Sequence, residues 1–308
     1  MRKKRIIVEE IETTGDEVAV PVAEEIEVLG EAMAVATEER GRSVTKRMSH
    51  RLLLNIPSRN NPKVRALIDR INTDDELYAL WTAANVNAVE RLGMSDHGPV
   101  HVKIVMNIAT KLLRLLLDRG VEPGVVANYG MEAEDAEVVV VLGALLHDVG
   151  MSIHRADHEG FSLFVAQAKL SELLSEIYDI PTATVIRSEV LHAIIAHRSG
   201  GKPLTVEAGI VRVADALDMA KGRSRIPFAA GSMSIHSVSA AAIEAVHIEA
   251  GEERPVRIRI ELSNSAGVFQ LDQLFREKLA GSGLERFVEL EAEFAEEQER
   301  RIVESFRL

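Results

Sequence analysis

The chain contains no cysteine, which excludes a disulfide framework and any thiolate nucleophile or metal ligand. Aromatic residues make up only 4% of it, so its core has to be aliphatic, as in closely packed helices. The apolar run Val138 to Leu146 is far too short to span a bilayer. The basic opening Met1-Arg2-Lys3-Lys4-Arg5 meets Glu9 and Glu10 instead of a hydrophobic segment, unlike a signal peptide. Positive charge is in deficit: 36 Lys and Arg against 48 Asp and Glu give a net charge of -12. That balance argues against general nucleic-acid binding. The expectation is a soluble cytoplasmic protein with no membrane partner.

What the chain does have is a set of polar residues inside apolar helical patterns. Gly143-Ala144-Leu145-Leu146-His147-Asp148-Val149-Gly150 places an imidazole and a carboxylate side by side at the end of an apolar run. Burying that polarity is costly without a partner, and a divalent cation is one that suits both groups. Upstream, Asp96-His97-Gly98-Pro99-Val100-His101 sets two histidines four apart at the head of a long amphipathic segment. Ser95 or Asp96 can cap that helix, and one helical face would carry both imidazoles. Downstream, Asp215 lies within the apolar helical pattern Ile210 to Asp218. His101, His147, Asp148 and Asp215 thus form a two-histidine, two-carboxylate set that leaves coordination positions open.

This ordered set resembles the signature of the HD superfamily of metal-dependent phosphohydrolases: a histidine, a His-Asp doublet and a distant aspartate. The resemblance covers about residues 90 to 225. It implies that His101, His147, Asp148 and Asp215 are metal ligands, and that His158 and His197 match the extra histidines of two-metal members. The implied cofactor is one or two divalent ions (Mn, Fe, Ni, Zn or Mg). His97 is similar in position to the first histidine of the His-x-x-x-His of cyclic nucleotide phosphodiesterases, which implies a general acid. Lys221, Arg223 and Arg225 follow Asp215 closely and are candidates for holding phosphate oxygens. His50, His154, His192, His236 and His247 are read as ordinary structural histidines.

The implied activity is hydrolysis of a small phosphoester, with a nucleotide as the expected substrate, by metal-activated water. The HD-GYP branch, which cleaves cyclic dinucleotides, is a poorer match. The chain has Gly200-Gly201-Lys202-Pro203 where a Gly-Tyr-Pro element belongs, and His197 alone where a histidine pair belongs. Two rival readings are a di-iron oxygenase and a nucleotide-binding sensor without catalysis.

The fold expected is mainly α, an all-helical HD-type core with a smaller C-terminal α+β module. Residues 1–45 read as an arm or helical extension, 46–228 as the helical hydrolase domain and 229–308 as the accessory module. Helices are expected from Asn61-Pro62, from Asp74-Asp75, from 97 to about Gly120, up to the doublet with Gly150 as its stop, and from Ile180 through His197. Strands are expected at Val246 to Glu249, Pro255 to Leu262 and Phe287 to Glu293, in an antiparallel sheet. Between the last two, Leu271 to Leu279 reads as a helix. The module shows no catalytic cluster, so ligand sensing or homo-oligomer formation is its expected role.

Overall fold

The computed structural model describes residues 43, 48, 51–56, 61–219 and 239–294. Its helices are α1 (Pro62–Thr73), α2 (Asp75–Asn85), α3 (Pro99–Asp118), α4 (Gly124–Tyr129), α5 (Ala133–Leu146), α6 (His158–Leu174), α7 (Ile180–Ala196) and α8 (Val206–Leu217). A three-stranded sheet follows, β1 (Ile243–Ala250), β2 (Val256–Leu262) and β3 (Val288–Phe294), with a helical run over 267–279 before β3. The chain is therefore mainly helical with a small C-terminal sheet, as expected.

Helix α5 is the axis of the molecule. Every residue from Asp135 to Leu146 is buried. Four successive valines favour a strand by local propensity, but a helix apolar on all sides can be enclosed by neighbours, and packing decides. Its start is fixed by reciprocal bonds between Glu132 and Asp135, a capping box. Helices α3, α7 and α8 pack around it. The only tryptophan, Trp81 of α2, donates its indole N–H to the Leu145 carbonyl at 2.9 Å. That carbonyl lies in the last turn of α5, where no helical donor follows, so one buried ring ties α2 to the doublet.

Three expectations need correction. The helix bearing His101 starts at Pro99, so His97 precedes it in the connecting loop. Gly150 does not end α5, which stops at Leu146 with His147 as its cap; the glycine sits in a 3-10 turn, Val149–Ser152. A side chain there would lie 2.1 Å from the His158 carbonyl and 2.4 Å from the Ser162 nitrogen, so glycine lets α6 approach the doublet. Lastly, the sheet is mixed: β1 and β2 are antiparallel, but β3 runs parallel to β2. The helical run over 267–279 carries the chain back across the sheet, as a parallel neighbour requires.

Strand β2 alternates as its sequence implies, burying Val256, Ile258, Ile260 and Leu262 and turning Arg257, Arg259 and Glu261 outward. The buried face joins the helical core in one continuous apolar cluster. The sheet packs on α3, and the helical run packs on α8. Among the described residues, no helix is long and apolar enough to cross a membrane.

Candidate metal centre

Five helix ends converge on one cluster, those of α3, α5, α6, α7 and α8. His101 lies in the first turn of α3, where Asp96 Oδ1 accepts the backbone N–H of both Gly98 and His101 and fixes the turn. His147 caps the C-terminus of α5, and His197 caps that of α7. Both donate Nδ1–H to a carbonyl three residues back, Ala144 at 2.8 Å and Ile194 at 2.5 Å. These are carbonyls that the ending helix leaves unpaired. His158 opens α6, with Nδ1 2.8 Å from the Arg155 guanidinium, which can only donate, and 3.1 Å from the Arg155 carbonyl. His101 Nδ1 meets Asp218 Oδ2 at 2.5 Å. In His101, His147 and His197 Nδ1 donates to an oxygen, so the geometry turns an unprotonated Nε2 inward as the candidate ligand atom; His158 also turns Nε2 inward, toward Asp148.

The Nε2 atoms point at carboxylates. Asp148 Oδ2 is 3.3 Å from Nε2 of both His101 and His147. Its other oxygen, Oδ1, is 3.0 Å from His158 Nε2 and 3.7 Å from His197 Nε2. Asp215, in the last turn of α8, sets Oδ1 3.6 Å from His101 Nε2 and 3.7 Å from His147 Nε2. Three overlapping groups have ligand atoms within 4.8 Å of one another: His101, His147 and Asp148; His147, His197 and Asp215; Asp148, His158 and His197.

The donor set fits a divalent cation. His101 Nε2 and His147 Nε2 face each other at 3.2 Å while both Nδ1 atoms donate elsewhere. Two neutral rings of that tautomer would oppose lone pairs, an arrangement relieved by a shared proton or a metal ion. Without metal, the proton does it. Burial disfavours charge on His147, yet Asp148 and Asp215 raise its pKa to about 10. Burial likewise pushes both carboxyls up, but His147 and the histidine hydrogen bonds hold Asp148 well below the usual carboxylate range. Lys278 and then His147 do the same for Asp215. Burial and the nearby positive His147 lower His197 to about 3, leaving it neutral.

The structure thus brings together all six residues read as ligands: His101, His147, Asp148, His158, His197 and Asp215. His97 lies beside them, its ring centre 5.5 Å from that of His101 and its Nδ1 2.8 Å from the Ser95 carbonyl. Lys221, Arg223 and Arg225 lie outside the described residues, as do His50 and His236. The remaining histidines have local partners: His154 accepts from Ala156, His192 accepts from Leu204, and His247 meets Glu261.

A search of family models matches the HD domain over residues 100–220. That span holds every residue of the cluster. The chain belongs to the HD-domain superfamily. This HD protein is also 41% identical over 234 residues to the uncharacterized protein MJ1020 of Methanocaldococcus jannaschii, covering 76% of the chain and 90% of that relative. No solved structure matches it.

Two neighbours of the cluster escape a reading by motif. Asp218 buttresses His101, and its signal was the spacing of three from Asp215 at a helix end. Ser162 takes the Gly150 N–H and donates to the His147 carbonyl at 2.7 Å, binding α6 to the doublet turn. Nothing in the local sequence marks it.

Proposed function

We propose that this HD protein is a metal-dependent phosphohydrolase acting on a small phosphoester. The observation that carries this is Asp148, whose two oxygens each face a different pair of histidine nitrogens. Such a carboxylate suits two cations, one held by His101, His147 and Asp215 and the other by His158 and His197. Divalent ions bound there would lower the pKa of water and offset charge at a phosphoryl group.

The chain's own residues supply the rest. His97 is the proposed proton donor to the departing alkoxide: the Ser95 carbonyl orients its Nδ1, and its ring lies 5.5 Å from that of His101. Asp218 keeps the His101 ring oriented and raises its basicity. Lys221, Arg223 and Arg225 are proposed to hold substrate oxygens, on their sequence position after Asp215. The family resemblance points to nucleotides as the substrate class. We assign residues 46–228 as the hydrolase domain, 229–308 as an accessory module and 1–45 as an arm, in a cytoplasmic protein able to self-associate.

The test is a panel of nucleoside mono- and triphosphates and simple phosphodiesters, with metal-stripped protein reloaded with Mn, Ni or Fe. Phosphate or nucleoside release that needs the metal supports the reading. The histidine-rich, carboxylate-bridged set also suits an iron pair that activates oxygen. Oxygen consumption by the iron-loaded protein, with no phosphoester turned over by any metal form, would favour that oxygenase instead.

A further inference from the structure

The C-terminal segment reaches the metal centre. Lys278, in the last turn of the helical run over 267–279, places Nζ 2.5 Å from the His197 carbonyl and 3.5 Å from Asp215 Oδ2. The other oxygen of Asp215 faces His101 and His147. One carboxylate therefore separates this ammonium from the heart of the cluster.

Its position is enforced. Arg212 of α8 is 1% exposed, and a buried guanidinium is costly unless its N–H groups are satisfied. They are spent on backbone carbonyls of two segments: Nε on Lys278 and Nη2 on Glu277, Nη1 on Arg198 and Ala196. Arg212 thus fastens the turn carrying Lys278 to the turn carrying His197. Ser199 Oγ adds a 2.5 Å bond to Glu277 Oε1 across the same seam. At Gly209 of α8, a side chain would lie 2.3 Å from the Ser282 carbonyl, so the backbones meet there directly.

An ammonium has three protons. The His197 carbonyl takes one, the longer contact to Asp215 takes a second, and the third has no acceptor among the described residues. The side chain is 21% exposed, open enough to meet a ligand. A lysine so held, with one N–H unspent beside the cluster, suits an anionic oxygen.

We propose that Lys278 binds a phosphoryl oxygen of the substrate, with Arg212 as its positioning residue, so that the C-terminal segment completes the active site. The proposal rests on the phosphohydrolase reading, but its test does not require turnover. Inorganic phosphate binding to the metal-loaded full-length protein is measured by calorimetry, with metal content and melting temperature recorded on the same samples. Lys278→Met is expected to keep its metal and its melting temperature while binding phosphate at least tenfold more weakly. Lys278→Arg should restore most of the affinity, and Arg212→Lys should weaken it by a smaller factor. With phosphate monoesters as substrates, the loss should fall on KM more than on kcat. Unchanged phosphate affinity in Lys278→Met, or no measurable phosphate binding by the wild type, overturns the proposal. So does loss of metal from that variant, which would make the lysine a support for Asp215. Phosphate binding that needs Lys278, in a protein that hydrolyses no phosphoester, would leave the proposal standing and remove the hydrolase reading.

Discussion

At the scale of single residues, the centre works by fixing which nitrogen of each ring faces inward. Backbone carbonyls do this for His147 and His197, Asp218 does it for His101, and the Arg155 side chain is the nearest Nδ1 partner of His158. Asp218→Asn should therefore lower metal affinity by about 10–100-fold without removing a ligand, as measured by competition with a chelating dye. His97 offers a different test, because a proton donor matters only for a poor leaving group. His97→Gln should slow hydrolysis of an alkyl phosphoester by about 10²–10⁴-fold and leave a p-nitrophenyl ester nearly unaffected. Equal losses on both would assign His97 a structural role. The candidate ligands His101, His147, Asp148 and Asp215 were legible as polar residues in apolar patterns, which need compensation, whereas His158 and His197 were legible only through the family resemblance. Lys278 was not: it lies 63 positions from Asp215, and no local pattern records a contact made by tertiary packing.

At the scale of elements, the site is a meeting of helix ends. The C-termini of α5 and α7 bring His147 and His197 with them, and their partial negative charge favours a cation. Close approach of α6 to the doublet turn depends on Gly150 and Ser162. Gly150→Ala should destabilise the fold by about 1–3 kcal/mol in urea unfolding, because backbone has to move. It should also weaken binding at the His158 and His197 side of the cluster. A variant as stable as wild type would show that α6 is not held there by backbone contact. Helix positions could be read from periodicity and caps, as with Asn61 and Asp74, each of which accepts a backbone N–H at its helix start. The direction of β3 could not, since alternation reveals a strand but not which way its neighbour runs.

At the scale of the whole molecule, the metal-free cluster makes stability depend on pH in both directions. His147 titrates near 10 when folded and near 6.5 when unfolded, so its contribution is full below 6.5 and fades as pH rises toward 10. His197, lowered to about 3, withholds a proton that the unfolded chain takes up below 6.5, so stability also falls on the acid side. Asp148 and Asp215, held low, lose their contribution as the pH drops through and below the unfolded carboxylate value. Thermal melts of stripped protein should peak near pH 6.5. Metal should raise stability most at alkaline pH, where no proton has to be displaced from His147. A profile that rises steadily from pH 6.5 to 10 without metal would contradict this charge assignment.

The continuous apolar cluster joins helices and sheet, so the C-terminal segment shares its stability with the helices that carry the histidines. The central claim is that these histidines and aspartates hold the ions that hydrolyse a phosphoester. Its most direct test is metal content and bis-p-nitrophenyl phosphate hydrolysis measured on the same samples of wild type and Asp148→Ala. The account predicts bound metal and metal-dependent turnover in the wild type, and loss of both in the variant at unchanged helical content. Turnover retained by Asp148→Ala, or a wild type that binds metal fully and hydrolyses nothing, would contradict it.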